Sequence, residues 1–492
     1  MMKRNILTII ILGVLLNIYS QNSGYYTDAL RNYQNFYIST ARSASLAGAY
    51  SSLGGDIGSI AINPAALGVY RSSSLVFTPG ITYTNSSADF YNTKYKEANT
   101  YFNFPNIGLT LYLKPASSSE WQGTSIGFGY NQLNNFDNRY IIKGNTQNTS
   151  LINEFLNYAD GVSYNQLDSY YERMAFDLAL IDTLNGTNNK YFSPFNGIPI
   201  AHRTTIETSG HIGEFYMGFG SNYNNQLYFG LTFNIRSGFY KDNYLHKETD
   251  VNNKITDDNF TFSNSLDTWI KGFNVKFGLI YRPIENLRFG LTFHTPTVTK
   301  VEQEYITGMT VTDDNNTFYK EYPRDNNGNM LGKATDNYKI TSPMRIILGT
   351  SYMFGQNGLI SVDYEYADYS RLKLTNGDYP DAIDKANEQI QNIFKSTHNV
   401  RIGGEYKISS FYLRGGWAYY ASPYAKNEIN KNSYNMIFAT GLGYRGKNIS
   451  VDFGINKLIK KEKYFTYDHQ NLLPADLDNQ TNNFLLSIGF YF

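Results

Sequence analysis

The feature that most constrains this chain is a period of two that returns in stretch after stretch. From Gln226 to Arg236 the odd positions are Leu227, Phe229, Leu231, Phe233 and Ile235, and the even ones are Gln226, Tyr228, Gly230, Thr232, Asn234 and Arg236. The same alternation sets Leu287, Phe289, Leu291 and Phe293 against Arg288, Gly290, Thr292 and His294. It sets Ile449, Val451, Phe453 and Ile455 against Ser450, Asp452, Gly454 and Asn456. Successive side chains of a strand point to opposite faces, so each stretch reads as a strand with one apolar and one polar face. A half-solvated sheet and a membrane barrel both meet that description.

Connection lengths separate the two. About fourteen such strands fit between Leu75 and Phe492, and the connections between them alternate between short and long. Short ones are Asn224 and Asn225, Gly355 to Asn357, and Ile408 with Ser409; long ones are Asn135 to Ser209, Lys241 to Asp267, Lys300 to Asn337 and Thr375 to Lys395. An even strand count with short turns at one end and long loops at the other is the pattern of an outer-membrane barrel. The expected fold is therefore all-β, a transmembrane barrel of about 14 antiparallel strands over residues 71–492, with the loop 135–209 extracellular. In the last strand Phe484, Leu486, Ile488, Phe490 and Phe492 share one face. A chain ending on an aromatic in this way is similar to the terminal segment by which barrel assembly machinery takes up its clients, so that machinery is an expected partner through Phe492.

Composition narrows the function. The 492 residues carry 42 Lys and Arg against 42 Asp and Glu, which gives no electrostatic reason for a nucleic-acid partner. Zero cysteine excludes a disulfide framework, a thiolate metal site and a thiol nucleophile. Aromatics reach 16% and charged residues only 17%, a balance suited to strands. At the N-terminus Lys3 and Arg4 precede an apolar stretch from Ile6 to Leu16 and a small residue, Ser20. That is a secretory signal peptide over 1–20, cleaved near Gln21, so the mature chain is exported and integral to the outer membrane. The six histidines show no metal spacing, and nothing resembles a catalytic triad or a nucleophile elbow. No catalytic residue, metal or cofactor is expected, and the chain is read as a non-enzyme.

Residues 21–70 precede the first strand and differ from the rest. They hold a small-residue block, Ala41 to Tyr50, then Leu53-Gly54-Gly55-Asp56-Ile57-Gly58, then Asn63-Pro64-Ala65-Ala66-Leu67-Gly68. Small residues allow close backbone packing and the glycines allow tight turns, as a compact segment within a barrel requires. With the signal peptide, the strand count and Phe492, this signature resembles the FadL/TodX family of outer-membrane transporters for long-chain fatty acids and other hydrophobic compounds. The resemblance implies a fourteen-stranded barrel closed by an N-terminal hatch, with ligand entering from outside and leaving sideways or past a shifting hatch. By that analogy Asn63, Pro64, Ala65 and Leu67 belong to the hatch, either as gate or as a turn locked by proline. The aromatic start from Gln21 to Tyr37 departs from the family's usual start.

Two further sets of residues bear on a path. In the loop 135–209, Leu151, Phe155 and Leu156 fall at helical spacing behind a Ser150 N-cap, and so do Met174 and Leu178. They either line a surface groove that collects apolar ligand or pack together as a lid. Pro79 and Pro105 each remove a ladder donor from the first two strands, and Gly127 and Gly129 permit a bulge in the third. Either the wall breaks there or the strand ends fray. The lumen face carries Arg236, Lys276, Arg288, His294, Asp363, Glu365, Arg401, Glu405 and Asp452, and mixed charges inside a plugged barrel pair with one another and with the plug. The function expected is passive uptake of hydrophobic small molecules such as long-chain fatty acids across a lipid membrane. The alternative is a barrel serving as a protein-binding subunit of an outer-membrane secretion or assembly machine.

Overall fold

The computed structural model describes residues 24–115, 119–147, 149–193, 197–252, 259–312 and 317–492, and the expected signal peptide lies outside them. Nineteen hydrogen-bonded segments form one antiparallel sheet, which reduces to fourteen staves closed into a barrel. The staves are β1 (Ser74–Phe90), β2 (Thr93–Leu113), β3 (Trp121–Asn135 and Asn138–Gln147), β4 (Pro199–Tyr223), β5 (Leu227–Asp250), β6 (Asn259–Ile284) and β7 (Leu287–His294 and Val298–Thr312). They continue with β8 (Ala334–Thr341 and Arg345–Phe354), β9 (Gly358–Asp368), β10 (Ser396–Ile408), β11 (Phe411–Ala421), β12 (Tyr434–Arg445), β13 (Ile449–Tyr464) and β14 (Ala475–Tyr491). β14 pairs with β1, with Phe490 opposite Leu75 and Phe484 opposite Ile81, and this closes the ring.

The faces are inverted relative to a soluble protein. Phe233, Ile235, Phe273, Phe277, Phe289 and Leu291 point outward and are exposed, while Asn234, Arg236, Asn274, Lys276 and Thr292 of the same staves are buried in the lumen. An apolar outer band over a polar interior is the arrangement lipid demands of a barrel. Among the described residues no helix is long and apolar enough to cross a membrane.

The expected long connections are shortened in several places, among them Lys241 to Asp267, where the strands run on to Asp250 and from Asn259. Between Asn85 and Tyr101 there is no long loop, because β1 and β2 run on above the membrane band and meet at a tight turn, Tyr91-Asn92, where both residues have positive φ. The expected loop 135–209 is likewise shorter, since β3 continues to Gln147 and β4 begins at Pro199. Above the membrane both faces of a strand meet polar surroundings, so the period of two that marks the lower strands is lost there.

The chain ahead of β1 lies inside the ring. It begins at the long-loop end with α1 (Tyr25–Tyr33), descends through α2 (Ala41–Ser45) and two short 3-10 turns (Ile57–Ala61 and Pro64–Val69), and reaches the short-turn rim at Arg71, whose Nη2 donates to Asn225 Oδ1 (2.6 Å). At the long-loop end α3 (Leu151–Ala159), α4 (Glu172–Asp177) and α5 (Pro380–Ile393) lie over the barrel. Apolar side chains of α5 pack against α1 through Ile383, Ala386, Ile390, Tyr26, Ala29 and Leu30.

Candidate functional site

The lumen charges gather into shared clusters of both signs. Arg401 pairs with Glu365 (2.8 Å) and lies 3.7 Å from Asp363, and Arg345 takes the other Glu365 oxygen (2.8 Å). Glu214 receives Lys276 and Arg236; Arg42 of the N-terminal segment reaches Glu405 (3.0 Å); Arg414 joins Glu405 to Asp452, which Arg445 also holds (2.7 Å). Ions this far from water persist only when paired and hydrogen-bonded. Glu214, Arg345, Arg414 and Arg42 were not singled out from the sequence. Strand register sets Glu214 opposite Arg236 and Arg414 opposite Glu405, and the fold of the N-terminal segment brings Arg42 to Glu405; a period of two specifies neither.

The same side chains grip the N-terminal segment. Asp363 Oδ2 accepts from the backbone N–H of Tyr50 (3.0 Å) and Ser51 (2.9 Å), and Oδ1 accepts from Ser51 Oγ (2.7 Å). Lys276 Nζ donates to the Ala61 carbonyl (3.0 Å), Arg288 to Leu53 (2.7 Å), and His294 Nε2 meets the Ile62 carbonyl (2.9 Å). Asn63 is fully buried: its amide donates to the Ser51 carbonyl (2.6 Å) and to Leu279 of β6 (3.2 Å), and its Oδ1 accepts from Ala65 N (2.9 Å). Pro64 occupies the first position of the following turn, where its missing N–H costs nothing. Ala65 and Leu67 have no exposed surface.

Glycines of the wall make that contact possible. A Cβ on Gly230 would run into the Pro64 carbonyl, one on Gly278 into Asn63 Oδ1, and one on Gly127 into Leu67. Gly127 and Gly129 therefore serve a different end from the one expected. Both sit in an unbroken ladder, Gly127 opposite Thr110 and Gly129 opposite Gly108, and Gly127 makes room for the inner segment.

The two prolines sit beside a real interruption. Between β1 and β2 the register slips around Pro79 and Pro105, from Thr78 opposite Asn106 to Gly80 opposite Asn103. On the other side of β2, the ladder to β3 runs from Leu113 opposite Thr124 up to Asn106 opposite Asn131 and stops. Among the described residues no ladder joins Thr93 to Pro105 to β3, although β3 stays paired with β4 throughout this height. Higher up, the hairpin leans back on β3: Arg139 lies 3.9 Å from Glu97, and Lys143 stands over the Tyr95 ring (4.1 Å). A window is left between, flanked by Asn103 and by Gln132 to Asp137.

Behind the window is a cavity of about 340 Å³. Asn103 and Gln132 to Asn138 border it on the window side, Leu30, Phe36 and Ile38 of the N-terminal segment form its inner wall, and Lys460 to Lys463 supply charge. An apolar void of about 150 Å³ holds benzene, so this chamber has room for a larger apolar molecule. Tyr140, Ile206 and Leu477 line it and also belong to the apolar cluster that carries the loop helices above.

That cluster overturns the groove. Leu151 is 2% exposed, Phe155 0% and Met174 1%, and Leu156 and Leu178 are half-buried at its edge. The apolar faces of α3 and α4 turn down onto Phe262, Met309 and Ile206, because the long staves rise far enough to receive them. The two helices form a lid and offer no open groove through these side chains. Ser150 does cap α3, through a capping box with Asn153. Glu154 on the same helix accepts from Tyr171 Oη (2.6 Å) and Asp468 N (2.7 Å), and burial pushes its carboxyl up to about 7.

The histidines, scattered in sequence, are not all scattered in space. The β4–β5 register sets His202 opposite Glu248 and His246 opposite Thr204, which gathers His202, His246 and Glu248 into one buried group under the lid. The sequence reading considered spacing along the chain only, and register brings these three together from positions that show no metal spacing.

A family model described as outer membrane protein transport protein (OMPP1/FadL/TodX) matches residues 33–492. No curated protein matches the sequence. Among solved structures, a Pseudomonas aeruginosa FadL homologue is similar over 93% of this chain and 99% of its own, with a TM-score of 0.55 and 12% identity. The P. putida toluene transporter TodX is similar over 92% and 98%, with a TM-score of 0.53 and 13% identity. The Ralstonia pickettii toluene transporter TbuX is similar over 94% and 100%, with a TM-score of 0.51 and 11% identity. At such identities the likeness is one of fold.

Proposed function

Because the chain belongs to the OMPP1/FadL/TodX family of outer membrane transport proteins, we propose that it passes hydrophobic small molecules inward without an energy source, through the chamber and out sideways through the window between β2 and β3. The observation that carries this reading is the coincidence of the two: the residues beside the interrupted ladder, Asn103 and Gln132 to Asn138, are the ones that border the chamber. A lateral exit suits an apolar ligand, which moves from a lined cavity into lipid without crossing the polar lower lumen. The lower lumen is filled by the anchored N-terminal segment, for which we propose the part of a fixed hatch, with Asn63, Pro64, Ala65 and Leu67 as its seat. The size of the chamber and the toluene transporters among its structural neighbours favour ligands from monoaromatics upward, with fatty acids at the large end.

Asn103→Trp tests the exit, since an indole there would fill the window from within. Uptake of a labelled hydrocarbon into cells carrying the folded variant should drop by roughly tenfold or more, as for a blocked constriction. Phe102→Trp, on the outward face of the same strand and 75% exposed, should transport normally. Equal uptake by a folded Asn103→Trp barrel would remove the lateral route. Gentle purification from native membrane separates the protein-binding alternative: a bound apolar ligand and no stoichiometric protein supports transport, and a stable partner with an empty lumen supports the other role.

A further inference from the structure

We propose that His202, His246 and Glu248 form a binding site for one divalent transition-metal ion of the zinc class, which staples the lid helix α3 to the wall. The three side chains are buried and offer ligand atoms within 4.8 Å of one another. His202 Nδ1 stands 3.2 Å and His246 Nε2 2.9 Å from the same Glu248 oxygen, Oε1. Two atoms bound tetrahedrally at about 2.1 Å from zinc lie roughly 3.4 Å apart, so small side-chain adjustments close the site.

The ring nitrogens that face away argue for a ligand rather than a chance cluster. Thr146 Oγ1 donates to the Thr149 carbonyl (3.0 Å), so toward His202 Nε2 its oxygen can only accept. His202 therefore carries a proton on Nε2 and turns Nδ1 toward Glu248 Oε1 at 3.2 Å, without the alignment of a hydrogen bond. A ring nitrogen and a carboxylate this close in a buried site need positive charge between them, either a second ring proton or a metal ion. His246 turns Nδ1 to Thr204 Oγ1 (2.7 Å) and Nε2 inward to Glu248 Oε1 (2.9 Å), a contact that a metal ion between the two would replace. Metal-binding histidines characteristically fix their outer nitrogen to such a partner, and two imidazoles with one carboxylate suit zinc, nickel or copper rather than calcium or magnesium.

The consequence for the lid follows from the second role of Glu248. Its Oε1 accepts from Leu151 N (2.7 Å) and its Oε2 from Ser150 Oγ, the first residue and the N-cap of α3. An ion held by β4 and β5 through the histidines thus fixes the carboxylate that holds the helix. This site is independent of the transport reading, and its test uses no transport assay.

The experiment takes the untagged full-length barrel, stripped with chelator, re-equilibrated with zinc and desalted, with zinc counted by mass spectrometry and Co²⁺ used as an optical probe. The expected result is about one zinc per chain, a tetrahedral Co²⁺ spectrum, and slower hydrogen exchange over Ser150 to Ala159 when zinc is added. Affinity should fall at least tenfold in His202→Ala and in His246→Ala, and stay unchanged in His469→Ala, which lies outside the site. A wild-type barrel that retains no zinc overturns the proposal and leaves a protonated His202 paired with Glu248. Stoichiometric zinc that survives both His202→Ala and His246→Ala overturns it as well, by placing the ion elsewhere.

Discussion

Asp363 uses both carboxylate oxygens on the N-terminal segment, and the arginine behind it, Arg401, is shared with Glu365. Asp363→Ala would leave the buried N–H groups of Tyr50 and Ser51 without an acceptor while Arg401 keeps its closer partner. The expected cost is about 3 kcal/mol, the low end of the range for breaking a buried pair. It should be seen as a lower denaturant midpoint of the folded barrel, with Asp363→Asn intermediate because it retains one acceptor. Asp363, Glu365 and Arg401 were legible as lumen residues from alternation alone, since a period of two assigns each position to a face. Their contacts were not, because which residue lies opposite which depends on register. The same reason hid the His202, His246 and Glu248 group, whose members come together across two strands 44 and 46 residues apart in sequence.

At the level of elements, the hatch and the wall are fitted to each other by what the wall lacks. Gly230 and Gly278 on β5 and β6 receive the Asn63-Pro64 turn at backbone distance. In the sequence these glycines are simply members of the polar face, and their reason lies in a turn that precedes Gly230 by about 170 residues and Gly278 by about 215. Gly230→Val should unseat the turn at a cost of about 1–3 kcal/mol, as overpacking does, without opening the barrel, whose ladder at this position is backbone only. Planar-bilayer recordings should then find a larger ion conductance than in wild type, and unchanged conductance would mean that the turn tolerates the displacement. Helix α3 illustrates the converse. Its Ser150 cap and apolar spacing were readable locally, and its destination was not, because the height of the receiving staves was invisible above the membrane band.

For the whole molecule the decisive event is closure of β14 on β1. At the seam Ser73 and Phe492 exchange two backbone hydrogen bonds, each 3.1 Å, and Phe492 is exposed. Removing Phe492 deletes the last rung of the seam and the aromatic end that assembly machinery is proposed to engage. The expected outcome is a severalfold smaller fraction of folded, heat-modifiable barrel in the outer membrane, with the remaining barrels as stable as wild type. A full yield of folded protein would show that the seam forms without it.

The class of solution follows from the local pattern of residues alone. Alternating apolar residues, an even set of strands, turn-sized connections at one end and a small-residue segment ahead of the first strand leave a closed membrane barrel with something inside it, because lipid permits no unpaired strand edge. Tertiary structure alone decided where the ring is imperfect, what the loop helices cover and which buried ions meet. Those outcomes depend on register, strand height and the fit between segments far apart in the chain, and none of these is written in the local period from which the barrel can be read.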